Sequence, residues 1–101
     1  MNNDQLKEII EFYVDDVETL NKIVVLEGDE FADGCIGITE DYQLVYSYDK
    51  LAESIARNDN ISIEDAIDFI EYNTIRSLSY IQSSGLIAPI IIHEFENTGD
   101  D

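Results

Sequence analysis

The chain holds one cysteine, one proline, no tryptophan, one histidine and only five Lys or Arg among 101 residues. A lone Cys35 cannot close an intramolecular disulfide. With His93 as its only companion it cannot build a Cys–His zinc site. No apolar run approaches the ~20 residues of a membrane span, and the longest, Leu86 to Ile92, is interrupted by Pro89. The opening MNNDQLKEII lacks the basic stretch and apolar run of a signal peptide. These shortages predict a cytoplasmic protein with no membrane contact. The shortage of bases also excludes generic binding to a phosphate backbone, so no direct nucleic-acid partner is expected. There is no glycine-rich phosphate loop.

What the chain has is acid. Twenty-three Asp and Glu give a formal charge of -18. Hydrophobic residues still make up 45%, with six Tyr and four Phe. Disordered acidic segments lack that apolar content, so a packed core is expected. The sequence predicts a single domain over residues 1–96, with 97–101 as a flexible acidic tail.

Leu6, Ile9, Ile10, Tyr13, Val17 and Leu20 recur at spacings of three and four and predict one amphipathic first helix. Asn3 or Asp4 is its candidate cap. Lys22 to Leu26 leans towards a strand, and Glu27 to Gly34 reads as a loop. The runs 35–39 and 43–47, joined by Glu40-Asp41-Tyr42, predict a hairpin. Helical spacing returns at Tyr48 to Arg57, with Leu51, Ala52 and Ile55 inward and Ser47 or Asp49 as cap. Ser62 begins a near capping-box pattern and a long helix with no Gly or Pro until Gly85. Ile90-Ile91-Ile92 after Pro89 predicts a central or well-covered strand. The fold class is α+β: a small, mainly antiparallel sheet (hairpin plus C-terminal strand) packed against about three helices.

The acids fall in patterns. Glu8, Glu11, Asp15 and Glu18 share one face of the predicted first helix, and Glu64, Asp68 and Glu71 share one face of the long helix. Asp29, Glu30, Asp33, Glu40 and Asp41 form a second patch in the loop region. Neighbouring acids on such faces lie roughly 4.5–6 Å apart along the axis. Phosphates in duplex DNA recur about every 3.4 Å per strand. A groove lined with Lys and Arg would attract either surface. Charged helix faces are ordinarily just solvated, but this excess has a cost. Like charges four apart on a helix destabilise it by a few tenths of a kcal/mol per pair.

Catalytic patterns are sparse, and the sequence reads as non-enzymatic, with no cofactor and no metal. An EF-hand register starting at Asp29 places Asp33, Gly34 and Glu40 suitably but puts Phe31 at the third position, which cannot ligate. Cys35 and His93 lack any flanking nucleophile motif. Arg76, in the polar stretch Tyr72 to Arg76, is a candidate ion-pair partner of Glu71 or Asp68, or an interface anchor.

The segments DGCIGIT, LVYSYDK, SIEDAIDFIEYNTIRSL and APIII, in that order between Asp33 and Ile92, resemble small acidic proteins of phages and mobile elements of Gram-positive bacteria. Some of that group are anti-CRISPR proteins that inhibit type II-A effectors. The resemblance implies a mobile-element setting and carries no catalytic residues. With the charge, it points to a basic nucleic-acid-binding partner such as a type II-A CRISPR effector nuclease, blocked in guide RNA or target DNA binding. The alternative is a non-enzymatic accessory module, antitoxin or regulator that binds through apolar contacts while its charge maintains solubility.

Overall fold

In the computed structural model residues 1–95 are described; the expected domain edge at Glu96 and the tail 97–101 lie outside them. Helix α1 spans Asn3–Tyr13. Its cap is Asn2, one residue earlier than expected, and Asn2 with Gln5 completes a reciprocal capping box. The helix stops where the predicted one continues. Val14 is extended (φ -123°, ψ 109°), and α2 begins afresh at Val17–Lys22. Asp16 explains the restart, because its carboxylate accepts from the Thr19 N–H (3.3 Å) and the Thr19 hydroxyl (2.8 Å). The break turns Val14 inward, at 5% exposure, and leaves Tyr13 and Val17 outward, at 65% and 66%.

The segment after α2 realises its β tendency as a single parallel bridge, Ile23 to Ile87. The expected loop at 27–34 contains a short helix, α3, Asp29–Ala32, entered through Gly28 at φ +114°. The hairpin forms as predicted: β1, Cys35–Ile38, pairs antiparallel with β2, Leu44–Ser47. A bulge interrupts the register between Cys35 and Gly37. Ser47 ends β2 and caps α4, Tyr48–Asp59, accepting from the Lys50 N–H. Asn60 closes that helix in the left-handed conformation. Ser62 caps α5, Ile63–Phe69, accepting from the Asp65 N–H at 3.1 Å.

The long helix is continuous but not uniform. A π-helical turn, Ile70–Thr74, separates α5 from α6, Ile75–Ser83. It coincides with the polar stretch Tyr72-Asn73-Thr74. The chain then returns to the sheet as β3, Ile90–Ile92, which pairs parallel with β2. The order is β1-β2-β3. The domain is α+β as expected, but its sheet is mixed, divided between one antiparallel and one parallel pairing. The strand at 90–92, expected to be central or well covered, is an edge with Ile92 exposed, and β2 occupies the centre. The reason lies in the connection. Three helical segments separate β2 from β3, the kind of crossover that parallel strands need.

One core joins these layers. Leu6, Ile10 and Val14 from the N-terminal segment meet Leu44 and Tyr46 from β2, Leu51, Ala52 and Ile55 from α4, and Ala66 and Ile70 from the long helix. Tyr46 is fully buried, and its hydroxyl accepts from the Leu26 N–H at 3.1 Å. Among the described residues no helix is long and apolar enough to cross a membrane.

Candidate partner-binding surface

The first predicted acidic face does not survive the helix break. Glu8 and Glu11 lie on α1, exposed and opposite the buried Leu6–Ile10 side. Asp15 sits in the break and Glu18 in the first turn of α2. These four acids are therefore split over three local frames. Asp16, which the sequence reading did not single out, holds the start of α2. The Thr19 hydroxyl is the main reason its carboxyl lies below the usual range.

The second face is kept. Glu64 and Asp68 stand one turn apart on α5, and Glu71 follows at the start of the π turn, all exposed. Glu71 accepts a 2.7 Å hydrogen bond from the Tyr48 hydroxyl, which ties α4 to the π turn. Burial first, and then that hydrogen bond and the negative charges of Glu71, Asp49 and Asp68, push the Tyr48 phenol up to about 12. His93 stacks on Tyr48 with ring centroids 4.4 Å apart. The structure thus gathers Asp49, Asp68 and Glu71 around one buried tyrosine.

The loop acids divide by role. The Asp29 carboxylate accepts from the Asn3 N–H (2.9 Å), joining α3 to the start of α1. Asp33 pairs with the Met1 ammonium at 2.7 Å. Glu30 is half-buried, and its carboxylate lies where a Cβ on Gly28 would stand. Asp29, Glu30 and Asp33 line a cleft of about 360 Å³ together with Ser54, Arg57 and Asn58. Glu40 and Asp41 sit apart from this cluster at the hairpin tip, both exposed. The EF-hand register is not built: Phe31 packs against the core and lies 6.5 Å from the Phe69 ring. Among the described residues no group of three or more His, Cys, Asp and Glu could hold a metal ion.

Cys35 and His93 belong to opposite edges of the sheet, with β2 between them. Two strand spacings, about 10 Å, separate those edges, so the two side chains do not form a nucleophile–base pair. Burial pushes the Cys35 thiol up, which disfavours the reactive thiolate. Arg76 is exposed, and among the described residues it makes no ion pair with Glu71 or Asp68.

Sequence reasoning missed a groove. Between α1 and β1 lies an apolar cleft of about 460 Å³, walled by Leu6, Ile9, Ile10 and Tyr13 on one side and Cys35, Ile36 and Ile38 on the other. Asp15-Asp16 was the available signal, since an aspartate able to cap a new helix marks where α1 stops beside β1.

Among the described residues two carboxylates, Asp33 and Glu94, sit in ion pairs, the second with Lys50 at 3.9 Å. The remaining field points outward. Compared with known protein families, characterised proteins and solved structures, the chain matches none.

Proposed function

We propose that this protein is a stoichiometric, non-enzymatic inhibitor that occupies a basic nucleic-acid-binding groove on another protein. The observation that carries the reading is a charge of -18, with acids that among the described residues are almost all exposed and rarely paired. A surface of that kind associates quickly with a Lys- and Arg-lined channel and loses affinity as salt rises. The resemblance to small acidic mobile-element proteins points to an anti-defence role, with a type II-A RNA-guided nuclease as the target. Guide RNA or target DNA is then the competitor.

The contact faces in this reading are Glu8 and Glu11 on α1 and Glu64, Asp68 and Glu71 on the long helix. Asp15, Glu18, Glu40 and Asp41 extend them. Asp29 and Asp33 contribute charge while also holding α1 in place. The test is charge reversal where no structural bond is lost: Glu8→Lys, Glu11→Lys, Glu64→Lys and Asp68→Lys, combined in one chain. The expected outcome is an unchanged circular dichroism spectrum with inhibition of the nuclease reduced at least about tenfold, roughly 1.4 kcal/mol of binding. Undiminished inhibition by the folded variant contradicts the reading.

A second reading is favoured by one observation. Ile9, Phe12, Tyr13 and Val17 are exposed near one end of the molecule, with Phe12 at 88%. An accessory or regulatory module that binds through this apolar surface, its charge serving solubility, predicts a complex insensitive to salt or a homodimer through α1.

A further inference from the structure

We propose that the groove between α1 and β1 receives an extended segment of a protein partner in which apolar residues alternate with Lys or Arg. The segment would lie beside β1 as an added strand. This rests on the reading that the partner is basic and adds where, and in what conformation, it is gripped.

Three observations converge on β1. It is an edge strand: among the described residues β2 is the one strand its backbone pairs with, and the Gly37 carbonyl also accepts from the Cys35 thiol at 3.8 Å. Its outward-facing N–H and C=O groups are therefore open to another strand. At Gly37 an added Cβ would meet nothing within 4 Å, so the face of the strand is open there beside the cleft. Alongside runs the apolar cleft, whose volume of about 460 Å³ accommodates a few side chains. Ile9, Tyr13 and Ile36 project into the open at 46%, 65% and 39% exposure.

Charge selects the occupant. None of the groove-lining residues is Lys or Arg, and the Met1 ammonium at its rim is already held by Asp33 at 2.7 Å. Beyond the end of the strand stand Glu40 and Asp41, both exposed and, among the described residues, outside any ion pair. An extended segment turns alternate side chains to opposite faces, so one set can fill the cleft while the other meets these acids. A second copy of this chain fits poorly. Each copy carries -18, so two copies repel each other. A phosphate-bearing ligand meets the same repulsion.

The test uses the full chain and fluorescein-labelled short peptides, read by anisotropy at near-physiological salt. One peptide alternates Leu and Lys; the second alternates Gly and Lys with the same charge; the third is the first with its backbone nitrogens methylated at alternate residues. The expected result is that the Leu–Lys peptide binds about tenfold more tightly than the Gly–Lys peptide. Methylation should remove most of that gain, and so should Ile9→Asn with Ile36→Asn, two exposed positions whose melting curve is followed as a control. Equal binding of the Leu–Lys and Gly–Lys peptides overturns the groove but leaves the charge reading intact. Binding of neither, even at low salt, overturns both. A dimer in sedimentation that Ile36→Asn dissociates places a second copy in the groove and overturns the proposed occupant. Methylation without effect overturns strand addition.

Discussion

Gly34 and Gly37 lie three residues apart in the same segment, yet they answer to different constraints. A Cβ at Gly34 would stand 2.5 Å from Leu51 Cδ2, 2.8 Å from its Cγ and 3.3 Å from its backbone nitrogen. Leu51 is fully buried and has no room to give. Gly34→Ala is expected to cost about 1–3 kcal/mol in urea unfolding, while Gly37→Ala should cost nothing measurable; equal effects would contradict this packing. Tyr48 offers a second check at this scale. An unfolded tyrosine titrates near about 10, and burial and Glu71 hold Tyr48 up to about 12. Below the unfolded value both states keep the proton and the contribution is whole. Above it the unfolded chain gives up its proton first, so stability falls as pH rises towards the folded value. Burial pushes Tyr46 further up and adds in the same direction. The urea midpoint should therefore decline above about pH 10, with a shallower decline in Tyr48→Phe. An unchanged slope in that variant would assign the decline elsewhere. Neither Gly34 nor Tyr48 could be singled out from the sequence, because each depends on a partner distant in the chain.

Elements were legible where local chemistry was strong and illegible where long-range geometry decided. Ser62 with its acidic first turn, Ser47 before α4 and the two β-prone runs around Glu40-Asp41-Tyr42 all form as their residues predict. Ser62→Ala should lower stability by about 1 kcal/mol, and an unchanged midpoint would mean that packing alone holds the start of α5. The first helix failed as a single unit because apolar spacing ran unbroken through Asp15-Asp16, and spacing alone does not register an aspartate that prefers to cap. The π turn falls in a polar interruption that was visible, though its extra residue was not. The direction of β3 was beyond reach, since a run of three isoleucines reads the same parallel or antiparallel. The candidate site followed the same rule. The long-helix face at Glu64, Asp68 and Glu71 stayed together, the first-helix face divided with its helix, and the groove emerged only where α1 stops beside β1.

Over the whole molecule the charge is the dominant feature, and it acts against folding as well as for binding. Screening should relieve the self-repulsion, so the melting temperature is expected to rise between about 20 mM and 500 mM sodium chloride. A flat response would mean that the acids are too dispersed to repel one another. The same salt should weaken any complex that depends on the field. The most direct measurement is a pull-down of a purified type II-A effector nuclease by this protein, with and without guide RNA, at rising salt. The account predicts binding at low salt that fades as salt increases and that guide RNA or target DNA diminishes. A complex that persists unchanged at high salt, or no binding in any state, would contradict it.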